Sequence, residues 1–386
     1  MRKNFIKKLA RSIKLVTNSR KPRLHEPFLN QSEIIELKNC IKSNYVSTVG
    51  PQVKKFEKKL SKLTGAKYVV ATNSGTSALH LALKALNVEK NSEVLIPSLN
   101  FVAGGNVIKY CSAIPHFIES NKIDLSVDPL KLKTYLKRIV KLKNGKCINI
   151  KTKRPIIALI VVHVFGHSGN IKEIKRICNL YKIKLIEDAA EAIGAFYQSK
   201  HLGTFGKCGI LSFNGNKTIT TGAGGALLTD DKNLAKKVLK LSLVSKIPHK
   251  WKLEYDDIGY NYRMPSINAA IGLSQLKKLN LMIKKKKKLF LNYKKEFKKY
   301  SEFILLDQPK NCKSNFWLNT IILKNNSMKV RNNIIKKLNQ YDVQARPCWK
   351  LLHKLKQFSN YPQMNLSISE KLEKNIINIP SSSIYG

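Results

Sequence analysis

The 386-residue chain is 43% hydrophobic and 8% aromatic, enough for a large core and two or three domains, and no apolar run reaches the roughly 18–20 residues that span a bilayer. Its net charge is +47, but the lysines run along the whole chain and arginine is concentrated nowhere, so the charge reads as compositional drift and not as a nucleic-acid footprint. Seven cysteines (Cys40, Cys111, Cys147, Cys178, Cys208, Cys312 and Cys348) lie scattered without a C-x-x-C pair, the pattern of reduced thiols in a soluble cytoplasmic protein and not of a disulfide framework or zinc site.

The first 32 residues read as an arm. A basic stretch without the apolar centre or cleavage site of a secretory signal is followed by breakers at Lys21-Pro22 and Pro27. From Glu33 the pattern is helical, with Ile34, Ile35, Leu37 and Ile41 on one side; Phe56, Leu60 and Leu63 mark a second helix. Strands and helices then alternate. Strands are expected at 68–71, 94–96, 114–118, 156–162, 183–186, 209–213 and 226–229, with helices at 77–86, 101–110 and 171–181 between them. The run at 156–162 is apolar nearly throughout, as in a strand buried on both faces. Such alternation predicts an α/β domain over 33–240 built on a mostly parallel sheet. After about residue 235 long lysine-rich helices take over, the densest run, Lys284 to Lys288, reading as a solvated face, with a short mixed segment at 316–323, which places a smaller domain in 241–386.

Four local features carry chemistry, and each has a plainer reading. Ser74-Gly75-Thr76-Ser77 stands between a strand and a helix, where unpaired N–H groups and the helix dipole favour phosphate; an ordinary N-cap would look the same. Glu187-Asp188-Ala189-Ala190-Glu191 lies at the carboxyl end of a buried strand, the edge where open α/β sheets bind ligands; a capping Asp is the alternative. Lys217 follows Ser212-Phe213-Asn214-Gly215-Asn216 and precedes the glycine-rich Thr220 to Gly225 loop. A lysine so placed can form a Schiff base, although in a chain this rich in lysine most are surface residues. Gly259-Tyr260-Asn261-Tyr262-Arg263-Met264-Pro265 is a polar-aromatic loop before a helix, or simply a hinge packed with tyrosines.

Taken in order along the chain, these motifs resemble the DegT-type sugar aminotransferases, of pyridoxal-phosphate (PLP) fold type I. The resemblance extends through Val49-Gly50-Pro51, Asn73 to His80, Pro97 to Ala103, His163-Val164-Phe165-Gly166, Glu187 to Glu191, Ser212 to Lys217 and Asn261 to Met264. Leu24-His25-Glu26-Pro27, Pro248 to Trp251, Asn315 to Asn319, Ala345-Arg346-Pro347 and Ile377 to Ser382 make it most similar to the legionaminic-acid and bacillosamine pathway branch. The resemblance implies a large domain with a seven-stranded mostly parallel sheet plus a smaller C-terminal α+β domain. It implies that Lys217 holds PLP as a Schiff base and moves the proton, and that Asp188 binds the pyridine nitrogen. Phe101 would stack on the ring, Gly75, Thr76 and Ser212 would hold the phosphate, and Glu191 would lie near the ring hydroxyl. Asn261 would reach the phosphate from the partner subunit of a homodimer. The implied reaction moves an amine from an amino acid, L-glutamate, to C4 of a nucleotide-linked 4-keto-6-deoxyhexose, with neither nucleic acid nor membrane as partner. Position 191 is Glu where many members carry Gln or His, and Ala223 stands where Glu or Gly is commoner. A lysine at 217 argues against the dehydratase branch, which has His there. The alternatives are another PLP reaction on the same fold, or a non-catalytic basic binding protein.

Overall fold

A computed structural model describes residues 3–324 and 327–386; the first two residues of the expected arm lie outside that range. Seven strands form the principal sheet: β1 (Tyr68–Thr72), β2 (Glu93–Pro97), β3 (Ile114–Ile118), β4 (Ile156–Val162), β5 (Lys184–Asp188), β6 (Cys208–Ser212) and β7 (Gly225–Thr229). Their order is β1-β7-β6-β5-β4-β2-β3. Strand β7 is antiparallel to both neighbours, and every other pairing is parallel. The mostly parallel sheet of the sequence reading is therefore present, with each expected strand placed to within two residues at either end.

Helices cover both faces, which is why the central strands are apolar along their length. Helix α4 (Gly75–Ala85), counted after α1 (Lys3–Thr17), α2 (Gln31–Lys42) and α3 (Pro51–Thr64), packs on one face with α5 (Val102–Tyr110). Helices α6 (Pro129–Ile139) and α7 (Ile171–Leu180) bury Leu132, Leu136, Ile174 and Ile177 in the core of the other. The start of α2 is fixed by a capping box: Asn30 accepts from Ser32 N while Glu33 accepts from Asn30 N at 2.8 Å. After α8 (Lys232–Ser242), the 31-residue α9 (Ser266–Glu296) runs from the first core into a second. That second core surrounds an antiparallel sheet of β8 (Phe303–Leu305), β9 (Asn319–Leu323), β10 (Arg346–Pro347) and β11 (Ile376–Ile379), in the order β8-β9-β11-β10.

Three features differ from the sequence reading. Residues 3–17, expected within an arm, form an amphipathic helix whose Phe5, Ile6, Leu9, Ala10 and Ile13 pack against Leu289, Tyr293 and Phe297 of the far end of α9 and its continuation. The lysines of its outer face dilute the apolar period in the sequence. Helix α6 and the hairpin Val140–Lys143/Lys146–Asn149 fill a stretch to which no element was assigned. In the lysine run of α9, Lys286 is not a solvated residue: it is fully buried, and its Nζ donates to the carbonyls of Trp317 (3.0 Å), Phe316 and Ser381. Burial pulls its pKa down to about 7.

Candidate active site

The carboxyl ends of β4, β5 and β6 and the N-terminus of α4 open onto one cavity of about 560 Å³. At one end Ser74 caps α4, its side chain accepting from Ser77 N at 3.0 Å, and leaves the first N–H groups of the helix without intrahelical partners. The sequence holds this helix end unusually close to the sheet. A Cβ on Gly225 would collide with the backbone of Ser74 and Gly75, and one on Gly75 would stand 2.9 Å from Cβ of Ser212. Glycine is required at 225 because backbone meets backbone there. Gly75, Thr76 and Ser212 line the same end of the cavity, so N–H donors and hydroxyls converge where a phosphate would sit. Gly225→Ala is expected to push α4 off the sheet. Phosphate-dependent cofactor affinity, measured by titrating cofactor into the emptied protein, should fall by at least about tenfold, a change of ~1.4 kcal/mol.

Successive residues of β5 face opposite ways, and the two acids at its end divide accordingly. Glu187 is sealed in a network, accepting from His163 Nε2 (2.9 Å) and from the backbone N–H groups of Gly203, Phe205 and Gly206. Burial would raise its pKa, but these donors outweigh it and hold the carboxyl below its usual value. Asp188 lines the cavity. Among the described residues its carboxylate accepts only from Ala190 N (3.2 Å), and no cation pairs with it. Burial pushes its pKa up, against the opposing influence of Ala190 N and the Lys217 charge. Glu191, one turn on, accepts from Lys217 Nζ at 3.2 Å and from Phe165 N at 2.9 Å; burial raises its pKa too, with Lys217 opposing. Lys217 Nζ also lies 4.1 Å from the centroid of the Trp317 ring, a cation–π contact. Amine, carboxylate and aromatic face thus fix the lysine at the mouth of the sheet.

Lys217, Asp188, Glu191, Gly75, Thr76, Ser212 and Phe101 all line this one cavity. Phe101 stands just before α5 and remains 54% exposed. Asn261 does not line it: its carbonyl accepts from Asn73 Nδ2 at 3.3 Å, and the residue lies on the outer surface. The structure adds side chains that the sequence reading did not place in the site. Trp317 donates from Nε1 to Asn216 O (2.8 Å), and Asn315 Nδ2 donates to the carbonyls of Glu191 and Ile193. His25, Gln344, Arg346 and Trp349 complete the wall facing the second sheet. The motif around Asn315 to Trp317 was visible in the sequence, but nothing local says it folds back onto residue 217.

A partly buried carboxylate with no cation in contact suits a protonated ring nitrogen. A lysine amine in the same cavity suits an aldehyde, and the helix end a phosphate. Pyridoxal phosphate meets those demands together, and the family match makes the protein a PLP-dependent aminotransferase. Residues 27–384 match the DegT/DnrJ/EryC1/StrS aminotransferase family, and the chain belongs to it. It is 34% identical over 364 residues to EpsN of Bacillus subtilis, assigned as a pyridoxal phosphate-dependent aminotransferase, covering 93% of this chain and 90% of that one. It is 33% identical over 362 residues to a GDP-perosamine synthase of Escherichia coli O157:H7, with 93% and 92% covered. Among solved structures it is similar to Helicobacter pylori PseC, an aminotransferase involved in the biosynthesis of pseudoaminic acid, with a TM-score of 0.84, 24% identity and 93% of each chain covered; at that identity the likeness speaks for the fold.

Proposed function

We propose that this enzyme transfers the amino group of an amino acid, L-glutamate, to C4 of a nucleotide-linked 4-keto-6-deoxyhexose, with a UDP-linked N-acetylated sugar as the foremost acceptor, for surface polysaccharide or glycan biosynthesis. The observation that carries the reading is the convergence of Lys217, Asp188 and Glu191 in a single cavity with the N-terminus of α4. The sugar-linked relatives and the motif resemblance supply the acceptor class.

Bound here, pyridoxal phosphate supplies an aldehyde that takes up the amine and a ring that withdraws electrons from the carbon being deprotonated. Asp188 would hold a proton on the ring nitrogen, and Gly75, Thr76 and Ser212 would hold the phosphate. Phe101 would stack on the ring. Lys217 anchors the cofactor and, when released, takes the proton from the donor's α-carbon and returns one to C4 of the sugar. Glu191, itself fixed by Phe165 N, keeps the amine pointed at that path. Over two half-reactions an amino acid becomes a 2-keto acid and the keto sugar becomes an amino sugar, so nitrogen and protons balance.

The enzyme is read as a homodimer in which Asn261 of each subunit completes the phosphate site of the other. Exposed apolar residues on α2 (Ile34, Ile35 and Ile41) and in two loops (Val49, Trp251 and Ile258) are available to such an interface. The test is mass spectrometry of products from UDP-, GDP- and dTDP-linked 4-keto-6-deoxy sugars incubated with glutamate. An aminated nucleotide sugar is expected; amine transfer only to plain 2-keto acids would overturn the reading.

A further inference from the structure

The corner Asn315-Phe316-Trp317 brings Trp317 onto the reactive lysine, and its backbone is strained. Phe316 has a φ of +50°, in the left-handed region that bulky side chains rarely enter and that persists only where the surroundings impose it. Those surroundings are specific. Asn315 Nδ2 donates to the carbonyls of Glu191 and Ile193 (2.9 Å each), Trp317 N donates to Asn315 Oδ1 (3.0 Å), and Phe316 N donates to Ser314 Oγ (2.9 Å). Helix α9 adds two holds one turn apart. Phe290 stacks on the Phe316 ring, with centroids 4.6 Å apart. Lys286 Nζ donates to the carbonyls of Trp317 (3.0 Å) and Phe316 (3.4 Å), and to that of Ser381 in the C-terminal segment.

Lys286 is fully buried, and no carboxylate among the described residues pairs with it. Desolvating an ammonium there is unfavourable, and an apolar side chain would fill the space without that penalty. What the ammonium supplies is three N–H donors. They meet three carbonyls that lie outside every strand and helix and have no other donor among the described residues. Above its pKa of about 7 the amine keeps two of those donors, so the hold outlasts the charge. From the corner so held, the Trp317 indole reaches the site: Nε1 donates to Asn216 O (2.8 Å), and the ring centroid lies 4.1 Å from Lys217 Nζ. An aromatic face favours a cation at that atom. In the cofactor-loaded enzyme the same nitrogen joins lysine to cofactor. Its protonated form is the more open to attack, because the proton draws electrons from the carbon that an incoming amine must reach.

We infer that Lys286 is a positioning residue: by holding the carbonyls of Phe316 and Trp317 it keeps the Trp317 face against the Lys217 nitrogen, and so helps keep that nitrogen protonated in the cofactor-loaded enzyme. The inference rests on the reading above that Lys217 carries the cofactor. The carboxylates of Glu191 (3.2 Å) and Asp188 also act on this nitrogen, and Lys286 bonds to neither. The buried His25, which feels both lysines, is neutral. The test follows the visible absorbance of the cofactor-loaded enzyme against pH, whose midpoint reads the proton on the Lys217 nitrogen.

Lys286→Met removes every donor and keeps an unbranched apolar stem. Two effects of that change have opposite signs. Removal of a nearby positive charge by itself raises the midpoint; loss of the Trp317 face lowers it. A fall of about 0.5–1 pH unit is expected, the size of a cation–π contact. Trp317→Leu should show a similar fall, and Lys286→Met added to it should lower the midpoint no further. Lys286→Gln, whose amide keeps two N–H donors on a stem one bond shorter, should show a smaller fall, and it carries the test if the Met variant does not fold. A midpoint that holds or rises in the Lys286 variants, or one that falls equally with and without Trp317, would overturn the inference and leave the assignment of Lys217 intact. Absorbance that titrates as in the parent after Lys217→Ala would instead overturn that assignment, and the role of Lys286 with it.

Discussion

Lys217→Ala should lower single-turnover amine transfer by at least about 10⁴-fold, because it removes both the covalent anchor and the group that moves the proton. Quenched-flow assay of the keto-acid product from the cofactor-loaded variant is the measurement; transfer within tenfold of the parent would contradict the role. The variant should still fold. In the parent, burial pushes the Glu191 carboxyl up and the Lys217 charge opposes the shift. Without the lysine only the Phe165 N–H opposes it, and the Glu191 carboxyl is pushed up further. A carboxyl whose folded pKa lies above its unfolded value of about 4.3 favours the folded state fully only below that value, and the benefit fades as pH rises through the folded pKa. Urea unfolding should therefore find the variant less stable than the parent at neutral pH, with the gap closing as pH is lowered toward about 4.3. A gap that widens on acidification would show that Glu191 is not the partner left behind.

Asp188→Asn should separate stability from catalysis. The carboxylate of Asp188 is partly buried at the cavity wall with one backbone donor and no cation in contact, so the cofactor-free protein bears part of its desolvation without return. An amide of the same shape removes that charge, and the thermal midpoint of the cofactor-free variant should equal or exceed the parent's. With cofactor the order reverses. The ring nitrogen is no longer held protonated, and kcat should fall by about 10²- to 10³-fold, the size of other preorganised electrostatic contributions, with cofactor bound more weakly. A variant that loses stability without cofactor but keeps its kcat would place Asp188 in the scaffold and not in the site.

Much of this arrangement could be read along the chain because it is local. Each strand of the principal sheet is a short apolar run, and the site residues stand at strand ends (Asp188, Ser212) or a few positions beyond them (Ser74 to Ser77, Glu191). That Asp188 and not Glu187 turns toward the cavity follows from strand alternation only once the partners of Glu187 are known: His163 from the neighbouring strand's end and the N–H groups of Gly203 to Gly206. What stayed hidden depends on contacts between distant segments. Helix α1 hides its apolar face among lysines and is stabilised by residues nearly 290 positions away. Trp317 meets Lys217 across a hundred positions, and His25 joins the wall because the C-terminal segment holds its backbone. Lys286 sits in the densest run of lysines in the sequence, where composition alone gives no reason to single out one as buried.

The central claim is a covalent one: a single lysine among dozens carries the cofactor. Borohydride reduction of the cofactor-loaded enzyme fixes the linkage, and proteolysis followed by tandem mass spectrometry locates it. The account predicts one modified site, with the added pyridoxyl mass on Lys217. Modification spread over surface lysines with Lys217 unmodified would contradict it.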